Sequence, residues 1–115
     1  MLVEISRAEL IDKITILEIK MDKINDEQKL VNVKNELDTL KTLEFHTHLK
    51  KDLKQINELI WEVEDRLRNL EQEKKFNSEF ITKARMVYIL NDIRADIKRT
   101  INIDTKSNIV EEKSY

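Results

Sequence analysis

The chain has 115 residues, enough for one domain with its own hydrophobic core. Charged residues make up 38% of it and aromatic residues 5%, the formal net charge is −2, and glycine, proline and cysteine are absent. Without glycine the chain has no phosphate-binding loop, dinucleotide-binding turn or nucleophile elbow. Without cysteine it has no disulfide, thiolate zinc site or thiol nucleophile.

The composition also bears on membranes, nucleic acid and location. No apolar run approaches the length of a membrane span, and the first residues lack a signal-peptide pattern. The absence of cysteine fits a reducing compartment, so we expect a cytoplasmic protein. Charges of both signs are mixed along the chain, which argues against nucleic acid or an anionic membrane as the partner.

The first predicted helix spans about residues 6–24. Ser6 is a good N-cap, and Glu9 three residues later completes a capping box. The alternation over 14–19 also fits a β-strand, but the cap and the four-three stepping of apolar residues favour a helix. This helix is apolar on more than one side, which predicts either a central position or coverage by a second subunit. The residues that we expect at a subunit interface are Leu10, Ile14, Leu17 and Met21.

The second and third helices are predicted over about 26–43 and 47–75. Asn25 or Asp26 caps the second helix. The apolar register is lost across 44–48, which predicts a turn or kink, with one bent rod as the open alternative. The third helix carries apolar residues at steps of four and three, namely Leu49, Leu53, Ile56, Ile60, Val63, Leu67 and Leu70. This spacing predicts a coiled-coil-like seam on a helix roughly 40 Å long.

The last predicted helix spans about 78–101, with Asn77 or Ser78 as its N-cap and a wide apolar stripe. Residues 102–115 are predicted to form an irregular tail. Trp61 lies beside the seam of the third helix, where it either covers the edge of the seam or contacts a second subunit.

Two acidic helix faces are candidates for a magnesium site. Glu58, Glu62 and Asp65 share one face of the third helix, and Asp92 and Asp96 share one face of the last. Hard cations need several oxygen ligands that converge from different elements, and facing helices of bundles supply them. The spacing of Glu62 and Asp65 is similar to half of the metal motif of all-α nucleotide pyrophosphohydrolases, but the Glu-x-x-Glu element of those enzymes is missing. The simpler interpretation is a solvated face with i,i+4 partners.

A polar run on the last helix is a candidate for binding a phosphate-containing ligand. It includes Asn91, Asp92, Arg94 and Lys98, and arginine suits phosphate or carboxylate groups. A salt-bridged surface is the simpler interpretation here as well. His46 and His48 form a His-x-His pair, but a zinc site needs further ligands and the chain has no other histidine, so we interpret the pair as a turn feature.

The whole chain resembles an uncharacterised family of short helical proteins, a domain of unknown function found in bacteria and marine phages. The segments that carry the likeness are 6–20, 32–33, 61–65, 91–95 and 109–115. The resemblance implies no activity. It does draw attention to Asn91, Asp92 and Arg94, and to the tail with Lys113 and Tyr115, which we expect to fold back onto the body or onto a partner.

We therefore predict one all-α domain over 1–115, an antiparallel bundle of three to four helices with two long helices and coiled-coil-like seams, and no cofactor. We expect a non-enzymatic interaction or assembly module that acts as a homodimer. Two alternatives stay open. One is a phosphate-ligand binder that uses Arg94, Lys98 and the tail, and the other is a magnesium-dependent enzyme similar to the all-α nucleotide pyrophosphohydrolases.

Overall fold

The computed structural model describes residues 2–107 and 109. These residues form four α-helices and no strand: α1 (Arg7–Lys23), α2 (Glu27–Lys41), α3 (Lys50–Gln72) and α4 (Ser78–Asp104). The predicted all-α bundle with two long helices is confirmed. None of the described helices combines the length and the apolar character that a membrane span requires.

Three helices begin at side-chain caps that the sequence contains. Ser6 Oγ accepts from the backbone N–H of Glu9, Asp26 caps α2, and Asn77 rather than Ser78 caps α4. The chain turns between α2 and α3, so the two are separate helices rather than one bent rod. At its end α4 continues to Asp104, three residues beyond the predicted end at 101, because this last turn packs against the start of α1.

The long helices α3 and α4 end in left-handed residues, although the chain has no glycine for this position. Lys74 and Lys106 both have φ of 55°. After α3 the N–H of Lys75 binds the carbonyl of Leu70, and after α4 the N–H of Ser107 binds the carbonyl of Asn102. These 6→1 bonds are the Schellman pattern, in which lysine takes the place that glycine usually fills.

Helix α1 is the centre of the fold. It packs against α2, α3 and α4, and α3 packs along α4, whereas α2 packs against α1 alone among the described helices. Of the two alternatives predicted for a helix with several apolar faces, the structure selects the central position. The described residues extend over 44 × 38 × 28 Å, so even α4, about 40 Å long, fits the longest dimension and helix length alone requires no second subunit.

The core consists of three groups of apolar side chains. One joins α1 to α3 and α4 around Ile11, Leu53 and Ile101, and another joins α3 to α4 around Ile60 and Leu90. The predicted seam of α3 faces these neighbours, since all seven of its residues are buried or half-buried.

The third group joins α1 to α2 and changes the interpretation of four predicted interface residues. It contains Leu10, Ile14, Leu17 and Met21, packed against Val33, Leu37 and Leu40 of α2. Within this chain they pack against α2, because the short connection between the two helices folds α2 back onto this face of α1. Contact with a second subunit stays a prediction.

Candidate functional site

A polar cluster lies inside the interface of α1, α3 and α4, and Asp12 is at its centre. Only 1% of Asp12 is exposed, and Thr15 and Asn57 beside it are also buried. Asp12 and Thr15 share one side of α1 because they are three residues apart. Asn57 lies on the side of α3 that faces α1, one residue after the seam position Ile56.

The side chains of this cluster bind one another from three helices. The amide Nδ2 of Asn57 donates to Asp12 Oδ1 at 2.9 Å and to Thr15 Oγ1 at 2.9 Å. Thr15 Oγ1 donates in turn to the backbone carbonyl of Asp12. From α4, Arg94 Nε donates to Asp12 Oδ1 at 3.1 Å, and a second guanidinium nitrogen donates to Oδ2. The pair is bidentate, the strongest arrangement between an arginine and a carboxylate.

A second ion pair extends the cluster towards the surface. Lys98 Nζ donates to Glu9 Oε2 at 2.7 Å and lies 3.6 Å from Asp12 Oδ2. Asn91, Arg94 and Lys98 share one face of α4 at spacings of three and four. Of these, Arg94 and Lys98 bind Asp12 and Glu9, which share one face of α1. Asn91 donates from Nδ2 to the carbonyl of Val87. Two carboxylates therefore face Arg94 and Lys98, and the more exposed Lys13 also lies 3.8 Å from Glu9 Oε1.

The electrostatics of the cluster favour the charged form of Asp12. Burial by itself raises the pKa of this carboxyl. The hydrogen bonds from Arg94 and Asn57, together with the charges of Arg94 and Lys98, outweigh burial and hold the pKa below its ordinary value. A carboxylate with a lowered pKa and several donors is a weak base. The arrangement is thus better suited to locking three helices together than to acid–base chemistry.

The start of α1 is held by side chains from the end of α4. Asn102 Oδ1 accepts from the N–H of Ala8 at 2.8 Å, and Ser107 Oγ accepts from the N–H of Arg7 at 3.1 Å. With Ser6 bound to Glu9, three of the four N–H groups that a helix start leaves unpaired have side-chain acceptors. Asn102 was predicted in the irregular tail, but it is 2% exposed, because it closes this helix start.

A second charged cluster surrounds Glu18 on α1. Its carboxylate lies 3.5 Å from Lys41 Nζ, 3.2 Å from Lys50 Nζ and 3.3 Å from Lys54 Nζ, and Lys50 also binds Glu44. Burial by itself raises the pKa of Glu18. The hydrogen bonds and charges of Lys50 and Lys54 lower this pKa by a larger amount, so it lies below its ordinary value. This cluster ties the α2–α3 connection to α1.

The predicted magnesium ligands do not form a metal-ligand group. Among residues 2–107 and 109, no three His, Asp or Glu side chains are placed to hold a metal ion. Glu62, Asp65, Asp92 and Asp96 are exposed, and Glu58 is half-buried. Magnesium binding stays a prediction from helix spacing.

The predicted phosphate-binding residues have different surroundings. Arg94 and Lys98 already bind Asp12 and Glu9, as described above. Asp92 is exposed, and Lys113 and Tyr115 lie outside the described residues.

Trp61 is half-buried on α3, and His46 and His48 are exposed in the α2–α3 connection, as a turn feature should be.

Sequence reasoning missed the acidic half of the cluster. It singled out Asn91, Arg94 and Lys98, but not Asp12, Thr15 or Asn57. One signal was available: Ala8, Ile11, Thr15 and Ile19 form a stripe of small and apolar residues on α1, and Asp12 interrupts it. A carboxylate inside such a stripe requires a buried partner.

A protein-family model described as "Family of unknown function (DUF6165)" matches residues 1–115. No curated protein and no solved structure gives a significant match to the chain.

Proposed function

We propose that this chain, which belongs to the family of unknown function DUF6165, is a non-enzymatic helical interaction module that acts as a homo-oligomer. The observation that carries the proposal is an uncovered apolar surface on the α3–α4 hairpin. We call the surface formed by Leu59, Ile89 and Ile93 the open hairpin face. These side chains are 45%, 47% and 42% exposed.

The open hairpin face lies on the side turned away from α1. Leu59 follows Asn57 by two residues, about 200° around α3, and Asn57 binds α1. Ile89 precedes Lys98 by nine residues, about 180° around α4, and Lys98 also binds α1. Since α2 packs against α1 alone, no described helix covers this side of the hairpin.

An uncovered face of this kind favours association. The same two helices bury Ile60, Val63 and Leu90 between them. The open hairpin face therefore lies next to the hydrophobic core between α3 and α4. Contiguous exposed apolar surface on a small domain marks a site of protein contact. We expect the module to act in the cytoplasm of a bacterium or of a phage-infected cell, in line with its lack of cysteine.

The test is the oligomeric state of the full chain by analytical ultracentrifugation from about 1 to about 100 µM. We expect a concentration-dependent rise from the mass of one chain to the mass of two. The Ile89→Asp variant should stay monomeric, because a carboxylate would be buried at the contact.

Val31→Asp is the matched control, since Val31 is 52% exposed on α2, away from the hairpin. It should associate like the wild type. A wild-type chain that stays monomeric at the highest concentration would overturn the proposal.

A further inference from the structure

We infer that α2 is a detachable lid, and that the face of α1 beneath it is a binding site for an amphipathic helix of another chain. We call residues 25–43 the lid, since they contain α2 and the exposed residues at its two ends. The inference does not depend on the proposed self-association, because the open hairpin face lies on α3 and α4. It rests on the packing of α2, on its helix propensity and on the anchoring of its two ends.

One apolar group attaches the lid to the rest of the fold. Among the described residues, this group contains side chains of α1 and α2 and none of α3 or α4, and Leu37 is the one buried residue of α2. The other two groups join α1, α3 and α4 and contain no residue of the lid. A helix with one buried residue and one neighbouring helix opens locally at a lower free-energy cost than the helices that share the core.

The polar contacts of the core also persist without the lid. Asp12 is bound from α3 and α4. The lid contributes an ion pair, because Lys41 Nζ lies 3.5 Å from the carboxylate of Glu18. When Lys41 moves away, Glu18 retains Lys50 at 3.2 Å and Lys54 at 3.3 Å. Opening the lid therefore leaves both carboxylates paired.

The sequence of α2 favours a helix only weakly. The low-propensity residues among its 15 are β-branched, Asn or Asp, namely Val31, Asn32, Val33, Asn35, Asp38 and Thr39. An isolated helix of this length is marginal in water even with favourable residues. The ion pair of Lys34 with Asp38 is exposed and adds little. Helix α2 is thus helical because it lies on α1, and it should unfold when it leaves α1.

Both ends of the lid are anchored, so the lid can open without moving the neighbouring segments. Before it, the N–H of Ile24 closes α1 on the carbonyl of Lys20. After it, Phe45 and Leu49 pack against the core group that joins α1, α3 and α4. The guanidinium of Arg7 also lies 5.6 Å from the centre of the Phe45 ring. Movement is therefore confined to the lid.

Opening the lid exposes a preformed helix-binding face on α1. Leu10, Ile14, Leu17 and Met21 follow one another at steps of four, three and four, and all of them pack in the group beneath α2. Such a seam is what a second helix packs against in a coiled coil. These are also the residues that the sequence predicts at a subunit interface.

Helix α2 shows what this face accepts. Its residues Val33, Leu37 and Leu40 are spaced by four and three, and Lys41 in its last turn pairs with Glu18. A helix of another chain with the same apolar steps and a basic residue in its last turn reproduces both contacts. Because this helix binds only the open state, it shifts the equilibrium of the lid towards opening.

Hydrogen exchange of the full chain tests the lid. In the wild type, the amides of α2 should have protection factors at least about tenfold lower than those of α1, α3 and α4, because local opening alone exposes them. The Leu37→Asp variant should lose protection in α2 only, since a carboxylate cannot be buried against α1. Val31→Asp puts the same charge at a position that is 52% exposed and should leave the pattern unchanged.

Two results would overturn the lid. One is a wild-type α2 that is as strongly protected as α1. The other is a Leu37→Asp chain that loses protection in α1, α3 and α4 as well, because the three helices would then depend on α2 for their fold.

A fluorescent peptide of residues 25–43 tests the binding face. It should bind the Leu37→Asp chain, whose α1 face is uncovered, with a saturable rise in anisotropy. It should not bind the wild type at concentrations up to about 100 µM, because the tethered α2 competes at an effective concentration of about a millimolar. The same peptide with Leu37→Asp is the control and should bind at least about tenfold more weakly. A native peptide that fails to bind the Leu37→Asp chain, or that binds no better than the control peptide, would rule out the binding face.

Discussion

Asp12 and Arg94 form a bidentate ion pair across the α1–α4 interface, although 82 positions separate them in the chain. The carboxylate is 1% exposed, whereas the guanidinium side chain is 27% exposed. The anion is therefore the member of the pair that depends most on its partner. Desolvation makes an unpaired buried carboxylate far more costly than a partly exposed arginine without its partner.

Removing the arginine should accordingly destabilise the fold more than removing both charges. We expect Arg94→Met to lower the free energy of unfolding by about 3 kcal/mol, and the Asp12→Leu/Arg94→Met double variant to lose less. Urea denaturation near neutral pH measures both. Arg66→Met, which breaks the exposed pair with Glu79, is the control and should have a much smaller effect. A double variant as unstable as Arg94→Met alone, or less stable, would contradict this account.

Acid should destabilise the fold through Asp12 and Glu18. Both carboxyls have folded-state pKa values below their ordinary values of 3.8 and 4.5. The unfolded chain therefore binds more protons than the folded chain in acid, so this stabilisation is present above about pH 4.5 and is lost as the pH falls through the folded-state pKa values. Urea midpoints from about pH 6 to about pH 3 should show the loss.

Glu18→Gln is the test variant for this pH dependence. It should be less stable than the wild type near neutral pH, and the difference should shrink in acid, because the wild-type carboxyl is then protonated as well. A difference that is equal at both ends of the pH range would show that the charge of Glu18 contributes nothing.

The contact between Asn102 and α1 should be worth more than an ordinary helix cap. Asn102→Ala leaves the buried N–H of Ala8 without its acceptor, so we expect a loss of about 2 kcal/mol in the free energy of unfolding. Asn77→Ala removes the exposed cap of α4, where water replaces the lost acceptor, and should cost about 1 kcal/mol or less. Equal losses in urea denaturation would mean that burial adds nothing to the cap.

The left-handed lysine after α3 should be improved by glycine. At φ of 55° the Cβ of Lys74 is strained. Lys74→Gly should raise the free energy of unfolding by roughly 0.5 kcal/mol. This is the strain energy that the folded chain loses, less the stabilisation that the unfolded chain gains from the greater conformational entropy of glycine. Lys83→Gly inside α4 should lower it by about 1 kcal/mol. Thermal melts measure the melting temperature of each variant. If Lys74→Gly and Lys83→Gly shifted it in the same direction, the strain at Lys74 would be refuted.

The helices themselves were predictable, because their signals are local. Capping side chains located three helix starts to within one residue. They are Ser6 for α1, Asn25 or Asp26 for α2, and Asn77 or Ser78 for α4. The stepping from Leu49 to Leu70 identified the buried side of α3. A cap and a hydrophobic repeat act within one helix, so their effect does not depend on what lies elsewhere in the fold.

Amino-acid order by itself thus determined that this protein is an all-α chain of three to four helices, where three of them begin to within one residue, and which side of α3 is buried. Only the tertiary structure decided that Arg94 binds Asp12, that Asn102 closes the start of α1, and that α2 covers Leu10 and Ile14 while the hairpin keeps an open side. The physical reason is that burial and ion pairing depend on which helices become neighbours. In a chain rich in charge, many partners are equally possible until packing brings two of them together and excludes water.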